Sequence, residues 1–226
     1  MLHSIHQRYG EKLRATDGEI GHVRDFYFDD SNWTVRYLVA DTGGWLTGRM
    51  VLISPHGLGH LYPEGKVLLV NLTRQQIEES PSIEEHKPVS RQQEEDYHRH
   101  YGYEYYAESM PLWGLGGYPV LVPPPKESEA KQHAVDSHLR STRAVAGYQV
   151  EANDGVVGEV IDFLIDARTW VIRALVVQCG HWYAGKKVVI YMENVSGLDH
   201  NKSRVYVDST KHAFAEASEH APASPA

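Results

Sequence analysis

The chain has 226 residues, 22 basic and 30 acidic side chains, a formal charge of −8 at neutral pH and one cysteine, Cys179. That balance argues against a nucleic-acid backbone or an anionic membrane as the main partner, and one cysteine excludes an intramolecular disulfide. No stretch approaches the roughly 20 apolar residues of a membrane span, and the opening MLHSIHQRYG lacks an apolar signal core, so a cytoplasmic, soluble protein is expected.

In chain order, Thr16-Asp17-Gly18 is a tight-turn signal, because Asp-Gly tolerates positive φ. Strands are predicted over Ile20–Phe28, Trp33–Ala40, Arg49–Ile53 and Val67–Val70, separated by the polar loop 29–32, the turn Gly43-Gly44 and the stop Ser54-Pro55. Thr73 with Gln76 forms a capping-box pattern, which predicts a short helix over Arg74–Glu79 ended by Pro81. Residues 81–140 differ in character. Ser90 with Gln93 predicts a helix from Arg91 to His100, followed by an aromatic run holding Tyr101, Tyr103, Tyr105, Tyr106 and Trp113, then Pro123-Pro124-Pro125. Disordered segments are poor in aromatics, so this run is expected to pack on a barrel surface or dock a partner.

Residues 17–53 then recur, without a gap, 137 positions later, with 16 of 37 positions identical. The identities include Asp17/Asp154, Gly21/Gly158, Asp25/Asp162, Trp33/Trp170, Arg36/Arg173 and Gly48/Gly185. The second copy predicts strands at Val157–Ile165, Trp170–Val177, Lys187–Tyr191 and Arg204–Val207, with a short helix after Thr210. This is a duplicated β-rich unit. The organisation expected is a first unit over 1–80, a connecting segment over 81–140, a second unit over 141–217 and a disordered tail over 218–226. Units of about 80 residues bury only about 60–65% of their unfolded surface, so packing one on the other stabilises both. Many short antiparallel strands with Gly-rich turns indicate mainly-β architecture: two small antiparallel barrels with short helices.

With 29–32 as the loop, Phe28 would face Trp33, and Asp25 would face Arg36. The equivalent pairs are Ile165/Trp170 and Asp162/Arg173. These opposed charges predict two cross-strand ion pairs worth about 0.2–1 kcal/mol each.

Gly147-Tyr148, Asn153-Asp154-Gly155, Gly158, Asp162-Phe163-Leu164-Ile165-Asp166, Trp170, Arg173, Leu175-Val176-Val177, Trp182 and Gly185-Lys186-Lys187-Val188 resemble the PRC-barrel family. That module occurs in the cytoplasmic part of the photosynthetic reaction-centre H subunit and at the end of the ribosome-maturation factor RimM. The first copy carries most of the same set, with Arg49-Met50 where the second has Lys186-Lys187. The resemblance implies two PRC-like barrels and a binding or scaffolding role with no enzyme chemistry. It departs from the H subunit in having no membrane helix before the barrel, and from RimM in starting on a PRC-like copy.

Candidate chemistry is sparse. His98 and His100, with Asp96 and His86 nearby, could hold a metal on a strand but diverge by about 200° on the predicted helix, so they read as surface histidines. Asp25/Asp29 and Asp162/Asp166 share strand faces, yet Asp29 and Asp166 stand where Asp caps a turn. Trp33/Trp170 and Trp45/Trp182 read as core or rim, where Trp→Ala would cost about 3–5 kcal/mol. Gly43-Gly44 and Gly114-x-Gly116-Gly117 lack the following Lys-Ser/Thr of a phosphate loop, so no cofactor is expected. Cys179 and His181 have Thr42 and Gly44 at the equivalent positions, which argues against a nucleophile pair. No catalytic, metal or cofactor residue is therefore expected. The reading is a non-enzymatic module that binds a protein partner or a second copy of itself and makes no direct nucleic-acid contact. The alternatives are a soluble accessory factor of a photosynthetic or other electron-transfer complex, and an accessory of RNA processing or ribosome assembly.

Overall fold

The computed structural model describes residues 2–46, 48–59, 67–79, 138–181 and 185–214. The chain is mainly β, in two separate barrel-like sheets with few short helices. The first part holds β1 (Leu2–Ser4), β2 (Lys12–Ala15), β3 (Gly18–Asp29), β4 (Thr34–Asp41), β5 (Met50–Ile53), β6 (Val67–Leu69) and α1 (Arg74–Glu78). The second holds β7 (Leu139–Ser141), α2 (Thr142–Val145), β8 (Gln149–Ala152), β9 (Gly155–Asp166), β10 (Ile172–Cys179), β11 (Lys187–Tyr191), β12 (Val195–Asp199) and β13 (Arg204–Val207).

One sheet runs β5-β4-β3-β2-β6 and the other β11-β10-β9-β8-β13-β12. Their registers superpose under the 137-residue offset. Lys12 pairs with Val67 in parallel, as Gln149 does with Arg204. Leu13 pairs with Gly21, as Val150 does with Gly158. Gly21 and Gly158 are glycine for one reason: a Cβ would run into the carbonyl oxygen of Asp41 or Gln178. Helix α1 carries the full capping box, with Thr73 Oγ1 accepting from the Gln76 backbone and Gln76 Oε1 accepting from the Thr73 backbone. Asp17 adds a second cap by accepting from Arg74 N at 2.8 Å, and Asp154 accepts from Lys211 N at 2.9 Å in the same way.

The short strands β1 and β7 cross between the units. β1 pairs with β9, Leu2 opposite Asp166 and Ser4 opposite Leu164. β7 pairs with β3, Leu139 opposite Asp29 and Ser141 opposite Tyr27. Each unit thus lends its leading arm to the other. The two units also meet directly. Thr34 and Val171, which are equivalent residues, bridge antiparallel, with Val35 N donating to Trp170 O at 2.9 Å and Ile172 N to Trp33 O at 2.8 Å. Equivalent residues facing one another define a pseudo-twofold axis. Phe28 packs on Phe163 with ring centroids 5.7 Å apart, and one continuous buried cluster draws on both sheets.

The expected cross-strand ion pairs Asp25–Arg36 and Asp162–Arg173 are corrected here. Asp25 lies opposite Val39 and Asp162 opposite Val176. The hairpin closes on Asp29/Thr34, which alone would set Asp25 opposite Leu38, and an irregularity in the ladder moves its partner one place further, to Val39. The register shifts between Tyr27 and Phe28, which leaves Arg36 outside the cross-strand pairs, and Arg173 falls in the shift between Ile172 and Ala174. A bulge inserts a residue and re-aims those after it. The loop also closes later than expected, on the pair Asp29/Thr34, so Phe28 faces Val35 and Trp33 lies in the turn. Phe28 and Trp33 nevertheless stack, with centroids 5.4 Å apart. Arg36 reaches Asp29 at 3.5 Å instead.

The carboxylates freed from that role hold the arms. Asp25 accepts from Ser141 Oγ at 2.5 Å, Thr142 Oγ1 at 2.9 Å and Arg143 N at 3.2 Å. Asp162 accepts from Ser4 Oγ at 2.5 Å and His6 N at 2.8 Å. Each also accepts from the next backbone N–H, Phe26 or Phe163, at 2.7 Å. Asp25 is buried, and replacing it leaves several donors without an acceptor. Asp25→Ala is expected to lose about 1.5–3 kcal/mol, measured by urea unfolding of the full chain. Arg36→Ala, which removes the 3.5 Å contact with Asp29 at the loop, is expected to lose no more than about 1 kcal/mol.

Candidate functional site

The sequence-level candidates resolve into structural parts. Asp29 and Asp166 cap their hairpin loops, accepting from Ser31 N at 2.9 Å and Arg168 N at 2.8 Å. These backbone bonds, Arg168 N first, hold the Asp166 carboxyl below its ordinary value. Neither aspartate is placed to act as an acid or base. Trp33 and Trp170 both adopt positive φ, 58° and 57°. For a bulky side chain that conformation costs on the order of 1–3 kcal/mol. It persists because it turns each carbonyl toward the backbone N–H of the other unit. Trp45 is half-buried under the Arg74 guanidinium, 4.4 Å from its ring centroid; Trp182 lies outside the described residues.

Cys179 is 4% exposed, and burial pushes its thiol up from the ordinary value. The thiolate is the reactive form, so this cysteine is inert packing. Folded chain is expected to leave a thiol reagent unreacted, with full labelling only in denaturant, as read by absorbance. Among the described residues no cluster of three His, Cys, Asp or Glu could hold a metal, and no helix is long and apolar enough to cross a membrane. His86, Asp96, His98 and His100, and the aromatic residues Tyr101, Tyr103, Tyr105, Tyr106 and Trp113, lie outside the described residues, as does the tail 218–226.

A buried polar cluster sits under β1, at a place the sequence did not signal. Arg8 Nη1 is 3.2 Å from Glu11 Oε2, and Arg8 Nη2 is 2.9 Å from His3 Nδ1. Burial, then the Arg8 charge, lowers the His3 pKa from its ordinary 6.5. Burial raises that of Glu11 against the opposing pull of Arg8. The unfolded chain therefore takes up the His3 proton at higher pH than the folded chain. His3 costs stability as pH falls below about 6.5, while Glu11 costs stability as pH rises above its ordinary 4.5. His3→Gln is expected to flatten the loss of unfolding free energy between pH 7 and pH 5.5; an unchanged slope in denaturant titrations at those pH values would remove His3 as its source.

Among the described residues, two surfaces stand out as able to receive a partner. The first is apolar. Tyr37, Val39, Leu52 and Leu139 form a second buried cluster of the first unit, with Tyr27 and Met50 against it. The equivalent positions in the second unit are Ala174, Val176, Val189, Leu2, Leu164 and Lys187. There Leu2 is 39% and Val189 37% exposed, and Tyr191 beside them on β11 is 51% exposed. The second surface is a cleft of about 780 Å³ at the junction of the units. Its walls are the β4 segment Thr34–Arg36, the turn from Ser54 to Gly59 with Asn71, and the β9–β10 loop from Ala167 to Trp170. Its volume is in the range of ligand sites.

Residues 143–213 match the PRC-barrel domain family. The match begins in α2, covers β8 to β13, and ends in the helical turn at 211–214. No curated protein matches the chain significantly.

Proposed function

We propose that this chain is a non-enzymatic protein-binding or scaffolding module in which both units are PRC barrels, the second by its family match and the first by its identical register at an offset of 137 residues. The observation that carries the reading is where the shared residues go. Asp17/Asp154 cap helical turns, Gly21/Gly158 admit a neighbouring carbonyl, Asp25/Asp162 hold arms, and Trp33/Trp170 turn the bridging carbonyls. Every one of these is architectural, and none joins a nucleophile to a base. What remains for function among the described residues is surface: the exposed apolar face around Val189 and Tyr191, and the junction cleft. A cytoplasmic setting fits the lone buried thiol.

The test is capture of a partner from the native lysate by the tagged full chain, beside a variant with Tyr101, Tyr103 and Trp113 changed to Ser. The variant is first shown to be folded by circular dichroism. A specific partner held by the native chain and lost by the folded variant is the expected result, and it assigns the process, whether electron transfer, ribosome assembly or another. Turnover of a substrate by the purified chain would overturn the reading.

A further inference from the structure

The pseudo-twofold axis allows each position around the junction cleft to be compared with its equivalent in the other unit. The cleft carries Arg36, Arg168 and His56, and its described lining residues include no Asp or Glu. In a chain of charge −8 that is a strong local departure. At the equivalent positions His56 becomes Glu193, Asn71 becomes Asp208, Ala167 becomes Asp30 and Arg168 becomes Ser31, while Arg36 is matched by Arg173. Duplication supplied two copies of one set of positions, and the sequence has put three carboxylates in one set, Asp30 of them paired with Arg140, and none in the other. Arg168 and His56 are exposed; the loop that carries Arg168 is held by the Asp166 carboxylate, which accepts from Arg168 N and Thr169 N, and His56 Nδ1 lies 3.1 Å from Ser54 Oγ.

The floor of the same cleft is apolar, from Val35, Leu58 and Trp170, all buried. Asn71 lines it and is exposed, so its amide can pair with peptide amide groups. Guanidinium groups pair with carboxylates in a fork geometry. Cationic side chains around an apolar floor, with an exposed amide beside them, suit an extended segment whose acidic side chains alternate with apolar ones. We infer that the junction cleft recognises an acidic peptide segment of a protein partner, the exposed Arg168 guanidinium pairing with its carboxylates and the His56 imidazole hydrogen-bonding to them, beside Arg36, which Asp29 holds in place. The inference rests on the binding-module reading, and specifies which surface does the binding and for what chemistry.

The test is a titration of the ¹⁵N-labelled full chain with a capped short peptide alternating glutamate and leucine, followed by backbone amide shifts. A lysine–leucine peptide and inorganic phosphate serve as comparison probes. The variant is His56→Glu with Arg168→Ser, which gives both positions the residues of the other unit; both are exposed, and unchanged shifts in β8–β13 verify its fold. The expected result is saturable shifts confined to residues 54–59 and 167–170 with the glutamate peptide, none with the lysine peptide, and affinity at least tenfold weaker in the variant. No shift in those residues, equal affinity in the variant, or phosphate binding as tightly as the peptide would each overturn it, the last by making the cleft a simple anion site. If the lysate capture succeeds equally with this variant, the cleft is excluded and the binding-module reading stands.

Discussion

The structure depends on two aspartates that each serve the other half of the chain. Asp25 in β3 binds the arm that leads into the second unit, and Asp162 in β9 binds the arm that leads into the first. A carboxylate accepts several hydrogen bonds at once, and bonds to a charged group are worth more than neutral ones. Each arm is only three residues of strand, too short to hold its place by ladder bonds alone. The carboxylate supplies the missing attachment, and it does so at a strand position already fixed by the core on the opposite face. The bridge between Thr34 and Val171 then closes the same junction through backbone. Arms, carboxylates and bridge together explain why one buried cluster runs through both sheets.

Much of this architecture was legible in the sequence. The 137-residue offset, the long hairpins β3–β4 and β9–β10, and the capping box at Thr73 are all read directly from residue patterns: the first from the repeat itself, the others from local signals. The pairing register was not. Asp25 and Arg36 are opposite in charge and would pair across a hairpin closed on Phe28/Trp33, but the hairpin closes on Asp29/Thr34, and the irregularity beside Tyr27 moves the partner of Asp25 one place further, to Val39. Nothing in the local sequence marks that irregularity. The arms were missed for a related reason. Leu2–Ser4 and Leu139–Ser141 are too brief to show a period, and their partners lie 160 residues away in one case and about 110 in the other.

The candidate sites were legible to a lesser degree. Identity between copies pointed to Asp25, Asp162, Trp33 and Trp170, and each has a definable task, but the task is folding. The junction cleft was invisible to that search, since its character comes from positions where the copies differ: His56 against Glu193, Arg168 against Ser31. In a duplicated protein, sameness reports what both halves need to fold, and difference reports what only one of them does. The buried trio of His3, Arg8 and Glu11 follows the same rule, with Arg140, Val145 and Tyr148 standing at the equivalent places.

The exchange of arms has a consequence for the unit itself. A single unit carries an arm it cannot use and a carboxylate it cannot satisfy, since the arm of each unit reaches only the other. Two identical units would resolve this by trading arms around a true twofold axis. The present chain has the form of such a dimer written as one polypeptide. Its covalent join does what concentration does for separate subunits, keeping the two halves at a fixed ratio and a high local concentration whatever the amount of protein present. It also releases the halves from having to be identical, and only a molecule so released can place carboxylates on one side of its axis that the other side lacks.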